Sequence, residues 1–308
     1  MTDFASFNPA AVFGYFIVTA VIAMFNLNPV TAVISLIGSL SLMLIRSNGK
    51  KYGVHILALL TAAGCCIINP LFSHNGKTVM LVINNNPVTY EAFIFGLVTG
   101  ITAASVVYWY SSFADIMTSD KIIYTIGKAS PKAALILTMA LRFIPLFARQ
   151  AKEINASQKA MGLYKGETVI TRIKGVSRVF SAMITYATEN IIITADSMAA
   201  RGYTGKRRRP YAIFSFRRRD ALFTLAFLAF AGVSVYATAS GAFDFWFYPE
   251  ITALRTHAGA IAGYIAFTLL CMMPTFIEGG DRLRWHYLKS TISHSHIPGA
   301  GGFSTEST

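Results

Sequence analysis

Charged residues are scarce in this sequence. Only 13% of the 308 residues are Asp, Glu, Lys or Arg, whereas 54% are hydrophobic. Soluble domains carry about 25% charged residues, so this composition excludes an ordinary soluble domain. Cysteine is also rare, with 3 residues in the whole chain. Since Cys65 and Cys66 are adjacent within one apolar run, the cysteines exclude a disulfide-rich scaffold and predict reduced core residues.

Long uncharged runs take the place of the missing charge. About 20 apolar residues are needed to cross the hydrocarbon core of a bilayer, so four of these runs predict one span each. A fifth run, between Asp3 and Arg46, is about twice as long. It is interrupted by the turn signal Asn26-Leu27-Asn28-Pro29 and predicts two short spans. We therefore predict an all-α integral membrane protein with about six transmembrane helices. The four single-span runs are 52–76, 92–114, 221–243 and 256–277.

The distribution of cations predicts the orientation. Of the 27 Lys and Arg residues, 25 lie in 46–51, 115–219 and 278–290, while the opposite loops hold only Lys77 and Arg255. Because cytoplasmic loops are enriched in cations, the three cation-rich segments are expected to be cytoplasmic. Both termini are then cytoplasmic in a multi-pass protein of the cell membrane.

These patterns divide the chain into four segments. Residues 1–114 predict an amino-terminal bundle of about four spans, and 115–219 a cytoplasmic helical insert between spans four and five. Residues 220–278 predict the last two spans, and 279–308 a cytoplasmic tail that is disordered at its end. No signal peptide is apparent at the amino terminus.

The insert carries the entire formal net charge of +13. It lacks the interleaved aromatic residues of a nucleic-acid stacking platform, so we expect no nucleic acid as partner. Anionic lipids of the inner leaflet are the expected partners of Arg217, Arg218 and Arg219.

Helical periodicity within the insert predicts two long amphipathic helices. Glycines, among them Gly162 and Gly175, are expected to break the helical pattern between them. The two helices end in similar tripeptides, Ala160-Met161-Gly162 and Ala200-Arg201-Gly202. The apolar positions that define the helices are Leu141, Ile144, Phe147, Ala151 and Ile154 in the first, and Phe180, Met183, Ile184, Ala187, Ile191, Ala195 and Met198 in the second.

These tripeptides resemble the paired Ala-Arg-Gly motifs of a transporter family. The transmembrane T components of energy-coupling factor transporters, which include the CbiQ-type cobalt-system subunits, carry such motifs at the ends of two cytoplasmic coupling helices. Here Ala200-Arg201-Gly202 is intact, whereas Met161 stands where the family usually has arginine. Leu141-Arg142-Phe143-Ile144-Pro145 and Phe25-Asn26-Leu27-Asn28-Pro29 are also similar to family segments.

The resemblance implies a non-catalytic scaffold subunit of an ATP-driven importer for vitamins or transition-metal ions. Its partners would be two cytosolic ABC ATPases, which use the ATP, and one substrate-binding membrane protein, the S component. The six residues of the two tripeptides, Ala160, Met161, Gly162, Ala200, Arg201 and Gly202, would dock the ATPases. No cofactor, metal or catalytic residue is expected in the chain itself.

The sequence also contains two weaker motifs and leaves two alternative functions open. His74-Asn75-Gly76-Lys77-Thr78 ends like a phosphate-binding loop, but Leu71 occupies the position of the first glycine. His294-Ser295-His296 offers two metal ligands within a Gly/Ser-rich tail. A lipid-modifying membrane enzyme and a stand-alone secondary transporter remain alternatives. The first would need a His, Asp or Cys cluster at one membrane face, and the second polar groups or broken helices at the midplane.

Overall fold

The structure is a computed structural model. It describes most of the chain, namely residues 4–47, 51–73, 76–83, 86–162, 169–203, 216–249 and 251–294. The chain divides into two compact units, unit 1 from residues 1–118 and 214–308, and unit 2 from residues 119–213.

Unit 1 is a helical bundle with one small β-hairpin. A short 3-10 turn, Phe4–Ser6, precedes its first helix. Its elements are α1 (Pro9–Phe25), α2 (Pro29–Ser47), α3 (Tyr52–Phe72), β1 (Val79–Ile83), β2 (Asn86–Thr89), α4 (Tyr90–Ile116), α8 (Arg218–Ala239) and α9 (Ala258–His294). Unit 2 contains α5 (Ser119–Ala129), α6 (Pro131–Ala160) and α7 (Val169–Ala200).

The predicted turn between the first two helices is confirmed. Its polar side chains satisfy the backbone at both helix ends: Asn28 Oδ1 accepts from the amide of Val30 at 2.9 Å, and Thr31 Oγ1 donates to the carbonyl of Asn26 at 3.0 Å. Asn28 is 1% exposed and its amide also donates to the carbonyl of Phe243, 3.2 Å away. The turn therefore joins α1 and α2 and anchors them to the segment after α8.

Close approach of backbones holds α3 against α4 and α2 against α9. A Cβ atom added at Gly100 of α4 would lie 2.7 Å from the carbonyl oxygen of Ala62 on α3. One added at Gly38 of α2 would lie 2.8 Å from Cβ of Cys271 on α9. Gly96 and Gly100 form a G-x-x-x-G pair, the spacing that lets membrane helices pack closely.

Aromatic side chains fill the core between α1, α4 and α8. Tyr15 and Trp109 are buried and pack edge to face, with ring centroids 6.2 Å apart. Their polar atoms are satisfied within the bundle, since Tyr15 donates to the carbonyl of Leu270 at 2.9 Å and Trp109 Nε1 donates to Ser35 Oγ at 3.0 Å. Phe223 and Phe227 of α8 complete this packing around Tyr15.

Six described helices are long and apolar enough to cross a membrane. Five of them correspond to predicted spans, and α6 does not. The six are α2, α3, α4, α6, α8 and α9. The predicted first span, α1, has 17 residues and is classed with the shorter apolar helices. At 1.5 Å per residue it is about 25 Å long, at the lower end of what can span the core.

Helix α6 qualifies by composition although the sequence interpretation placed it in the cytoplasmic insert. An 18-residue window of α6 has a mean hydropathy of 1.5, and none of that window is buried inside the chain. The amino-terminal half of α6 is thus apolar. Its carboxyl-terminal half is polar and contains Lys152, Glu153 and Lys159.

Three further features differ from the sequence prediction. Strands β1 and β2 form an antiparallel hairpin between α3 and α4, with Val82 opposite Pro87. Helix α5 precedes the two predicted helices of the insert. The break expected at Gly175 is wrong, because α7 runs through this glycine, which is buried.

Candidate coupling site

Helix α6 ends where the sequence placed the first tripeptide. Ala160 is its last residue, and Met161 follows with φ −72° and ψ 0°. Gly162 has φ 72°, the left-handed conformation that glycine adopts without a Cβ clash. The amide of Gly162 donates to the carbonyl of Lys159 at 3.0 Å. The chain therefore turns away from the helix axis directly after Met161.

Helix α7 ends in the same way at the second tripeptide. Gly202 also has φ 72°, and its amide donates to the carbonyl of Ala199 at 3.0 Å. The amide of Tyr203 donates to the carbonyl of Met198, also at 3.0 Å. This pair of bonds is the Schellman motif, which satisfies carbonyls that would otherwise be left open at a helix end.

The backbone stop alone does not distinguish these two ends from others in the chain. Helix α8 ends with Gly241 at φ 69° and the same pair of backbone hydrogen bonds. What differs is the side chain before the glycine, which is Met161, Arg201 or Ser240. The candidate site therefore consists of a rigid backbone stop that presents one variable side chain.

Both presented side chains are exposed to solvent. Met161 is 66% exposed, and Arg201 is also exposed, as are Ala160 and Ala200. In the part of the chain that the structure describes, Arg201 makes no ion pair. An exposed arginine on a fixed turn keeps its full set of guanidinium donors available to another molecule.

The two ends lie at opposite ends of a helix pair. Phe147 of α6 packs edge to face on Tyr186 of α7, with ring centroids 6.1 Å apart. Nearer the start of α6, Met139 lines a cavity together with Met198 near the end of α7. The helices are therefore antiparallel. From the Phe147–Tyr186 contact each end is about 20 Å away, in opposite directions, at 1.5 Å per residue.

The predicted apolar faces of α6 and α7 are only partly used within this pair. Leu141, Phe147, Ala151 and Ile154 are half-buried. Four other predicted positions remain more than half exposed, because the apolar surface of each helix is wider than the contact between the two. These four are Ile144, Phe180, Ile184 and Ile191. An additional apolar surface thus remains on both helices.

The segment that ends like a phosphate-binding loop has a structural role here. The amide of Thr78 donates to Glu91 Oε1 at 3.2 Å, and its hydroxyl also donates to that carboxylate. Glu91, 4% exposed, lies in the first turn of α4. The Lys77-Thr78 segment is thereby fixed at the start of the β-hairpin by an acidic side chain, which would repel a phosphate.

The described residues contain no group of three or more His, Cys, Asp or Glu side chains that could hold a metal ion. His296 of the candidate metal pair lies outside the described residues.

Comparison with known proteins identifies similar chains. The family model CbiQ, described as cobalt transport protein, matches residues 8–212, roughly two thirds of the chain. The energy-coupling factor transporter transmembrane protein EcfT of Lactobacillus helveticus is 26% identical over 102 residues, which cover 32% of this chain and 37% of that protein. The EcfT of Lacticaseibacillus paracasei is 34% identical over 89 residues, 28% of this chain and 34% of that protein. The chain therefore spans about a third of the length of these relatives.

Proposed function

The chain belongs to the CbiQ family of cobalt transport proteins, and we propose that it is the transmembrane scaffold of an ATP-driven importer of the energy-coupling factor type. It is a multi-pass membrane protein, and the part of the chain that the structure describes contains six long apolar helices. In this proposal it binds no substrate or ATP itself and transmits the work of ATP hydrolysis from cytosolic subunits to a substrate-binding membrane protein. Its cargo would be a vitamin or a transition-metal ion.

The observation that carries the proposal is the arginine at the end of α7. Arg201 is exposed on a turn fixed by two backbone hydrogen bonds of 3.0 Å. A guanidinium presented in this way can form two parallel hydrogen bonds to one carboxylate in a partner's groove. Gly202 has no atom within 4 Å of a Cβ position, so the partner's backbone can approach the turn closely.

The antiparallel pair supports two docking sites for two ATPases. The ends at Met161 and Arg201 extend in opposite directions from the Phe147–Tyr186 contact. Two separate ATPase subunits can therefore each engage one end. Movement of the ATPases during the cycle of ATP binding and hydrolysis would move the two ends relative to each other and so move the helices.

The exposed apolar surface of α6 and α7 supports a membrane partner. Ile144 and Phe180 are 62% and 66% exposed, although residues of this size are usually buried. We propose that this surface faces lipid or the substrate-binding S component. The cation distribution supports an orientation with both termini and the insert in the cytoplasm of the cell, at the plasma membrane.

Co-purification tests the proposal. The tagged chain, expressed in its native host, is expected to retain an ABC ATPase pair and a small membrane protein through detergent extraction. The chain purified without them is expected to show no ATP hydrolysis. ATP turnover that stays with the isolated chain through repeated purification, or its recovery alone under all mild detergents, would contradict the proposal.

A further inference from the structure

A separate cavity with charged walls lies within unit 1. A cavity of about 700 Å³ opens where α2 and α4 end, α3 begins and α9 leaves the apolar run. Its volume is in the range of small-molecule sites. Its lining contains both charged side chains and the apolar surface of Trp285 and Leu288.

Two ion pairs form the wall of this cavity. Arg46 at the end of α2 contacts Glu278 of α9 at 2.5 Å. Lys51, which precedes α3, contacts both carboxylate oxygens of Asp115 at 2.6 Å. Each carboxylate is thus already matched by a cation of the same wall, and the pairs hold the cytoplasmic ends of four helices together.

The remaining charge in the lining is positive. The other charged residues of the described lining are Asp281, Arg282 and Arg284, so the described lining residues carry an excess of one positive charge. A single phosphodiester carries one negative charge and would balance it. Arg284 is exposed, so its side chain can reach a ligand from the open side.

The position of the cavity favours a lipid over a dissolved phosphate. Glu278 is the first charged residue after the apolar run 256–277. The cavity therefore opens at the polar end of this run, where the headgroup layer begins. Trp285 is 53% exposed and Leu288 is 46% exposed. Tryptophan is typical of the interface between membrane and water.

We propose that this cavity binds the phosphate of an anionic membrane phospholipid, with Arg284 on the phosphate and Trp285 beside the headgroup. Basic pockets between membrane helices at the cytoplasmic side bind such headgroups in other proteins. This site is separate from Arg217, Arg218 and Arg219, and its lining does not include them. The bound lipid would brace the junction of α2, α3, α4 and α9.

Bromine-labelled lipids test the proposal on the full chain in nanodiscs. The chain has three tryptophans, Trp109, Trp246 and Trp285. The fluorescence of Trp285 is therefore obtained as the difference between the native chain and Trp285→Phe. Brominated phosphatidylglycerol is expected to quench this signal more than brominated phosphatidylcholine at equal mole fraction.

The matched variants are Arg284→Gln and Lys289→Gln, and each removes one cation from α9. Arg284 lines the cavity, whereas Lys289 is not among its described lining residues. The first is expected to lower the preference for phosphatidylglycerol about fivefold, and the second less than about twofold. An equal loss in both variants would show general surface attraction and overturn the site. Inorganic phosphate that abolishes the preference in an Arg284-dependent way, with no quenching by the brominated lipid, would overturn the assignment to lipid.

Discussion

The stop at the end of α7 can be tested by replacing Gly202 with alanine. Gly202 has φ 72°, and nothing lies within 4 Å of an added Cβ. The cost of the substitution is therefore that of the left-handed backbone alone, about 1–2 kcal/mol. Alanine also reduces the conformational entropy of the unfolded chain, which offsets this cost by about 0.4–1 kcal/mol. A net loss of about 1 kcal/mol in stability is therefore expected.

Gly232 supplies the matched control. It lies inside α8, and a Cβ there would also meet nothing within 4 Å. Alanine in an open helix interior stabilises by about 0.8–1 kcal/mol relative to glycine. Gly202→Ala and Gly232→Ala are thus the same chemical change with opposite expected signs, because only the backbone conformation differs.

Amide hydrogen exchange measures the effect directly at the helix end. The amide of Tyr203 donates to the carbonyl of Met198 in the native turn. A net loss of about 1 kcal/mol is expected to speed its exchange about fivefold in Gly202→Ala. Gly202→Asn is expected to be milder, since asparagine tolerates this conformation. Unchanged or slower exchange of Tyr203 in Gly202→Ala would refute the assigned turn.

Three further predictions concern unit 1 and topology. Single cysteines at Lys77 and Arg208 should react with impermeant reagents from outside and inside respectively; reaction of residue 208 from outside would reverse the orientation. Gly100→Leu should lower the melting temperature by the equivalent of about 1–3 kcal/mol, whereas Gly64→Leu, where a Cβ meets nothing within 4 Å, should not; equal melting of the two would contradict the close α3–α4 approach. Glu278→Gln should destabilise by about 1–3 kcal/mol because the charge-assisted hydrogen bond from Arg46 to a buried carboxylate is lost, and an unchanged melting temperature would show that the pair contributes nothing.

Features that depend on neighbouring residues could be predicted from the sequence. The turn at Asn26–Pro29 and the helix ends at Met161 and Arg201 each follow from residues within one turn of the site. Asparagine side chains bond nearby amides, and glycine adopts the left-handed conformation that ends a helix. The positions of these breaks therefore agree with the structure to the residue.

Features that depend on partners far along the chain could not be predicted in this way. Arg46 and Glu278 are 232 positions apart, and no local pattern links them. The apolar amino-terminal half of α6 has a mean hydropathy similar to that of a membrane span. Composition alone therefore does not separate the two. Which apolar positions of α7 face α6 depends on how the helices cross, and Phe180 and Ile184 remained exposed for that reason.

Two local sequence patterns indicate features that the pattern of apolar runs does not predict. Val79–Ile83 is a short apolar run followed by Asn84-Asn85-Asn86-Pro87, a pattern typical of a hairpin. Gly96 and Gly100 have the spacing of a helix-packing pair. In contrast, Gly175 does not break α7, because a single glycine inside a long helical pattern is tolerated at a cost of about 1 kcal/mol.

The most direct test of the central claim is the affinity of the ATPase pair for the chain in nanodiscs, measured for Arg201→Ala, Arg201→Lys and Met161→Ala. If Arg201 is the buried, charge-paired anchor of the complex, its alanine variant should bind about 30-fold more weakly, the ratio for about 2 kcal/mol. Lysine should restore only part of this loss because a point charge cannot reproduce the planar fork. Met161→Ala should have a smaller effect, since it leaves no charge of the partner unpaired.

Joint neutralisation of Arg217, Arg218 and Arg219 serves as the control in the same measurement. Arg217 is the N-cap of α8, and Arg218 and Arg219 are its first residues. Their loss is expected to leave ATPase affinity unchanged. Native affinity in Arg201→Ala together with lost affinity in the triple variant would contradict the account and place the coupling site in the basic run.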